Sequence, residues 1–160
     1  MFRGKFAPLL RQYIFTMLWS LSPFGEAKFG IPYGLLKGLN PVLVLVLAIF
    51  ANILVFPMML FFLKSLNGWL MRWANWYKKS AIWVAQRAKK GSKEQLEKYG
   101  YVGLTLFVMI PLPGTGVYAG TIAAYIFKMD TNKAFVANAI GISISSLIVW
   151  GATLLGRGVF

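Results

Sequence analysis

Pro41 to Leu63 runs 23 positions without a charge. At the helical rise of ~1.5 Å per residue this is enough to cross a ~30 Å hydrocarbon core. The pattern predicts a transmembrane helix over 41–63, kinked at Pro57, with Asn52 a buried amide in search of a partner. A second such helix is predicted over 131–155; it carries Asn138 and the small residues Gly141, Ser143, Ser145 and Ser146, which let helices approach closely. Ahead of each span the apolar pattern is interrupted, between Tyr13 and Leu39 by Ser22 to Lys28, and between Tyr101 and Met129 by Ile110 to Gly116. The pieces on either side are shorter than the ~20 residues a span requires, so each pair predicts a re-entrant helical hairpin, about 13–39 and 101–129.

The second interruption reads Ile110-Pro111-Leu112-Pro113-Gly114-Thr115-Gly116. Two prolines and two glycines so close together cannot continue a helix. Irregular backbone at membrane depth is tolerated only where protein buries it or where it lines a polar cavity, so a break here points to a site. Laid on the first half with an offset of 90, Pro113 falls on Pro23, Gly120 on Gly30, Asp130 on Asn40 and Gly141 on Ala51. The order of half-helix, break, half-helix, polar residue and span occurs twice, as in transporters built from inverted repeats. The first repeat is 1–63 and the second 101–155.

Between them, 64–100 holds nine Lys and Arg. Trp69, Trp73, Trp76 and Trp83 recur at helical spacing, with Arg72, Asn75, Lys79, Gln86 and Lys90 on another face. This predicts a helix over about 68–90 lying among headgroups. Ser92 and Gln95 form a candidate capping box for a short helix ending at Gly100. The fold class is therefore an all-α integral membrane protein, a single membrane domain over 1–160 of two inverted repeats joined by a basic amphipathic helical loop.

Composition agrees and narrows the chemistry. The chain is 58% apolar with four acidic residues and a net charge of +13; its mean hydropathy is +0.64. Cysteine and histidine are absent from the sequence, which removes disulfides, thiolate or imidazole metal sites and Ser-His or Cys-His nucleophile pairs. No enzyme, cofactor or metal centre is expected. The positive charge is read as a match to anionic lipid headgroups rather than to nucleic acid. Residues 1–11, with Arg3, Lys5 and Arg11 among apolar neighbours, read as an amphipathic segment near a membrane surface, and no small-x-small cleavage pattern follows the run from Tyr13. The basic loop, joined by Lys128 and Lys133, outweighs Arg3, Lys5, Arg11, Lys37 and Arg157, which puts 64–100 on the cytoplasmic side of a multi-pass plasma-membrane protein.

The candidate chemistry lies in the two breaks. Glu26 is the first acid of the chain, and Lys28 follows in the same break. With Asn40 at the interface, helical rise puts Lys28 ~18 Å deep, where ionised groups must be paired or in water. Glu26 is expected to begin the second half-helix, where a carboxylate or bound anion is favoured, and Lys28 to hold an anion there while Glu26 exchanges a coupling proton or ion. Pro23 and Gly25 shape that tip. In the other break the amides of Gly114, Thr115 and Gly116 and the Thr115 hydroxyl would form an anion-binding concavity, with Pro111 and Pro113 setting the turn. The breaks thus read as a charged and an uncharged half of one midplane site. Asn52 and Asn138 are expected to join helices.

At Glu26-Ala-Lys28-Phe-Gly-Ile31-Pro32-Tyr-Gly34 and at Ile110 to Gly116, with Ala119-Gly120 after it, the sequence resembles the small multidrug export protein family, a branch of the DedA and VTT-domain superfamily. The likeness runs from about Ser22 to Trp150. It implies re-entrant hairpins in inverted repeats and, for the wider superfamily, lipid handling: phospholipid scrambling, or ion-driven uptake of polyprenyl phosphate carriers. An arginine is usual in that family where this chain has Lys28.

Three functions follow as expectations. The first is a proton- or sodium-coupled transporter of a lipid-phosphate or similar anionic amphiphile, the second a small cation or drug exporter, and the third a non-transporting scaffold that binds anionic lipid or a partner. The sequence leaves the oligomeric state open, a homodimer included.

Overall fold

Asn40 and Asp130 each stand one residue before a long apolar helix and cap it with a side-chain oxygen. Asn40 Oδ1 accepts the N–H groups of Val42 and Leu43 at 3.0 and 3.1 Å, and Asp130 Oδ1 accepts that of Lys133 at 3.0 Å. Each thereby satisfies donors that a helix start leaves without partners. The computed structural model describes residues 3–112, 115–156 and 158. Its helices are α1 (Arg3–Leu21), α2 (Ala27–Leu36), α3 (Pro41–Ser65), α4 (Asn67–Trp73), α5 (Asn75–Met109), α6 (Val117–Ile126) and α7 (Thr131–Gly156). No strand occurs among the described residues.

α3 and α7, of 25 and 26 residues, are long and apolar enough to cross a membrane. α3 runs without interruption through Pro57. Their outward faces are apolar: Val42, Val46, Phe50, Leu54, Met58 and Phe61 on α3, and Val136, Ile140, Leu147 and Leu155 on α7, are exposed. Their inward faces hold Asn52, Asn138, Ser145 and Ser146, all buried. An apolar outer surface, with the buried polar side chains set among apolar ones within, suits a lipid solvent.

The chain divides into two compact units, Met1–Asn52 with Ser143–Phe160, and Ile53–Ile142. α3 and α7 each contribute to both. In the first unit Ala27, Ile31 and Leu35 of α2 form a buried cluster with Val44 and Ala48 of α3 and Leu154 of α7. Trp150 Nε1 donates to Pro41 O at 2.9 Å within that unit. In the second unit Leu63 and Ile122 are packed with Met59, Phe62 and Ile126, Phe56 meets Phe135 edge-on at 5.6 Å, and Thr105 Oγ1 donates to Ala137 O at 3.2 Å, tying α5 to α7.

Three boundaries differ from the sequence expectation. α1 begins at Arg3, not Tyr13, so the amphipathic lead-in and the first half-helix are one element. The tryptophan-rich segment expected as one helix over 68–90 breaks at Ala74, extended at φ −121°, ψ 100°, which separates α4 from α5. Ser92 begins no helix: α5 runs through it and changes direction only at Gly100, where φ is 57° and ψ −123°. The helical propensity of the flanking Lys, Glu and Gln carries the helix past the candidate cap. Along this segment Trp69, Trp73, Trp76 and Trp83 are exposed, as are Arg72, Lys79, Gln86 and Lys90.

Candidate functional site

The first break is a tight turn built on Ser22. Its N–H donates to Trp19 O at 3.2 Å, and its carbonyl accepts the N–H groups of Gly25 and Glu26 at 3.2 and 3.0 Å. Its Oγ accepts the Phe24 N–H at 3.3 Å. Pro23 and Phe24 are pushed outward. Gly25 is buried where a Cβ would lie 3.0 Å from Trp19 O and 3.2 Å from Phe29 Cβ, so a side chain there would press the turn apart by a few tenths of an ångström.

Glu26 is the residue before α2, at φ 52° and ψ −158°. This region of backbone space belongs almost wholly to glycine, and a side chain there is held against strain. Its carboxylate makes no capping bond to α2. Instead Oε2 lies 3.4 Å from Lys28 Nζ, with the two side chains only 6% and 13% exposed. A buried carboxylate and ammonium stabilise one another at a desolvation cost that neither could bear alone. Pro32 lies one turn after Lys28 and has no N–H to close the helical bond to the Lys28 carbonyl. The first turn of α2 therefore concentrates a cation, an anion and backbone polar groups.

α2 lies close against α1. A Cβ on Gly30 would overlap Ser20 Oγ and come within 2.8 Å of Thr16 O, and one on Gly34 would meet Val44 and the Thr16 hydroxyl at 2.8 and 2.9 Å. The spacing of Gly30 and Gly34 places both on one helix face, the arrangement that lets two membrane helices touch backbone to backbone.

The second break is held by the chain itself. Leu112 N–H donates to Ile110 O at 2.8 Å and Thr115 N–H to Leu112 O at 3.3 Å. The Thr115 hydroxyl lies 2.6 Å from Ile110 O and 2.8 Å from Leu112 O, so its one proton is directed to the turn. Gly116, at φ 118° and ψ −166°, precedes α6, and its carbonyl accepts the Gly120 N–H at 2.8 Å. Pro111 is half-buried; Pro113 and Gly114 lie outside the described residues. Gly120 packs on α7, where a Cβ would overlap Asn138 Oδ1 and lie 2.5 Å from Val108 Cγ2.

The geometry thus joins Glu26 to Lys28, with Gly25 behind them, in the first unit. Thr115 and Gly116 form a separate turn in the second. Asn52 and Asn138 donate Nδ2 along their own helices, to Ala48 O at 2.8 Å and Ala134 O at 2.9 Å. Asn52 Oδ1 and Asn138 Oδ1 are buried without a hydrogen bond. Among the described residues no group of His, Cys, Asp and Glu could hold a metal ion.

The same local devices recur in both units. Glu26 and Gly116 precede ten-residue helices in the same positive-φ half of backbone space. Gly30 and Gly120 donate to those residues' carbonyls. Gly38 and Lys128 take left-handed positions after the helices, at φ 73° and 52°. The backbone N–H of Asn40 then donates to the Tyr13 hydroxyl at 3.2 Å, and that of Asp130 to the Tyr101 hydroxyl at 3.1 Å. The tyrosines went unread in the sequence because their offset is 88 rather than 90. The two breaks differ in length by two residues, and an alignment that allows for that finds them.

No curated protein and no solved structure matches the chain. Residues 26–148 match the family described as putative small multi-drug export protein, a stretch that opens on Glu26 at the end of the first break and takes in the second break and most of α7. With most of its length matched, the chain belongs to the putative small multi-drug export protein family.

Proposed function

We propose that the chain is a proton- or sodium-coupled transporter that moves a lipid-phosphate, or an anionic amphiphile like it, across the plasma membrane. The observation that carries this reading is the buried Glu26–Lys28 pair at 3.4 Å in the break ahead of α2. Lys28 would hold the anionic group at that helix start, where the dipole favours negative charge, and Glu26 would take up the coupling proton or ion when the anion draws Lys28 away. The recurring devices of the two units support a reading as two inverted repeats, each a re-entrant hairpin followed by a span, as in the wider DedA and VTT-domain superfamily. The exposed tryptophans and lysines of α4 and α5 support a cytoplasmic interfacial segment on anionic headgroups.

The family description favours a second reading, export of a small cationic drug, in which Glu26 exchanges protons for the cation. Lys28 beside the carboxylate opposes it. Reconstitution in vesicles separates the two. Under the first reading Glu26→Gln and Lys28→Ala each abolish translocation of a fluorescent lipid-phosphate, and unchanged translocation by both variants rejects it. Movement of cationic drugs alone, lost in Glu26→Gln and raised in Lys28→Ala, establishes the second.

A further inference from the structure

The second unit holds a cavity of about 220 Å³ where the end of α3, the end of α6 and the start of α7 meet. Lys64 and Lys128 line it with Tyr125 and Thr131, and none of the described residues that line it is acidic. Phe56, Leu60 and Lys64 are spaced four apart on α3, so one stripe of the cavity wall passes from an aromatic ring and an aliphatic chain to a cation in the last helical turn. The neighbouring carboxylate, Asp130, has Oδ1 engaged as the cap of α7.

The position of Lys128 argues that its side chain is used there. It occupies the left-handed turn after α6 at φ 52°, where the corresponding turn after α2 has Gly38. A side chain in that conformation brings its Cβ against the following carbonyl oxygen, a steric cost that glycine does not have. The chain accepts that cost at the one of the two turns that faces the cavity.

We infer that this cavity binds the phosphate of an anionic phospholipid between Lys64 and Lys128, with an acyl chain laid along Leu60 toward the buried Phe56 at the cavity floor. The inference rests on α3 spanning the membrane, which puts Lys64 at headgroup level, and not on transport through Glu26. The site is a resident lipid site on the second unit, distinct from the Glu26–Lys28 pair.

Binding of fluorescent short-chain phosphatidylglycerol to the purified chain in non-ionic detergent tests it. Phosphatidylglycerol binds more tightly than phosphatidylcholine, and Lys64→Ala and Lys128→Gly each weaken it about fivefold, the effect of one basic residue at a headgroup. Lys128→Gly relieves the backbone, so its loss of binding cannot be laid to misfolding. Lys37→Ala removes the same charge elsewhere and leaves binding unchanged; an equal loss there, or equal binding of phosphatidylcholine, overturns the site. Competition by glycerol 1-phosphate at the lipid's own concentration overturns a lipid in favour of a soluble phosphate ester. Glu26→Gln retains phosphatidylglycerol binding even where it abolishes translocation, and a parallel loss overturns an independent site.

Discussion

Glu26 and Gly116 hold the same post, the residue before a ten-residue helix, at φ 52°, ψ −158° and φ 118°, ψ −166°. Only glycine adopts that region freely. The first break therefore keeps a carboxylate where the second has glycine, and the strain is offset by the surrounding turn on Ser22. Glu26→Gly should be more stable than Glu26→Ala by about 1–2 kcal/mol, since both lose the carboxylate and only one keeps the strain. Denaturant unfolding of the two variants in detergent measures the difference. Equal stabilities would show that the turn imposes no strain on residue 26.

The ion pair separates stability from transport. Removing one partner leaves a buried charge alone, so Glu26→Gln and Lys28→Met should each lower unfolding free energy by about 3 kcal/mol. Glu26→Gln combined with Lys28→Met leaves no buried charge and should recover most of that loss. Under the proposed function translocation should stay absent in the double variant, because neither the cation proposed to hold the anion nor the carboxylate proposed to take up the coupling ion remains. Recovery of transport along with stability would reduce the pair to a structural contact.

These two residues were legible in the sequence because charge is rare in an apolar chain, and Glu26 and Lys28 stand out against their neighbours. The two long apolar helices were legible for the same reason: they open at Pro41 and Thr131, where the apolar pattern starts, and close at Ser65 and Gly156, within two residues of where it runs out. The extent of α1 was not, since the charges at Arg3, Lys5 and Arg11 and the proline at Pro8 interrupt the apolar pattern there while the helix runs on. Nor was the engagement of the Thr115 hydroxyl, which depends on where two carbonyls of its own turn point. The cavity between Lys64 and Lys128 joins residues 64 positions apart, and sequence alone assigned both only to one side of the membrane.

Tyr13 and Tyr101 each accept the backbone N–H of a helix-capping residue, 27 and 29 positions further on. These bonds tie the helix ahead of each break to the start of the long apolar helix that follows it, and neither donor has an intrahelical partner. Tyr13→Phe and Tyr101→Phe should each cost about 1 kcal/mol, read as a lower unfolding midpoint with an unchanged denaturant slope. Backbone amide exchange at Asn40 and Asp130 should rise in the matching variant only. A rise at both sites in either variant would show that the bonds act through global stability instead.

Gly30 and Gly120 are close-packed in different ways, and the difference predicts which can be rescued. At Gly30 an added Cβ meets backbone, Thr16 O at 2.8 Å and Ser20 N at 3.0 Å, besides the Ser20 hydroxyl. At Gly120 the obstacles are side chains, Asn138 Oδ1 and Val108 Cγ2. Alanine at either position should destabilise by about 1–3 kcal/mol through overpacking. Adding Asn138→Ala to Gly120→Ala should recover part of that, because it removes the clash together with a buried carbonyl oxygen that has no hydrogen bond. Adding Ser20→Ala to Gly30→Ala should recover little, since the α1 backbone still blocks the new methyl. Thermal unfolding of the four variants decides it: equal rescue at both sites would mean that α1 can retreat from α2, and that the close approach of the two helices is not what fixes the turn carrying Glu26.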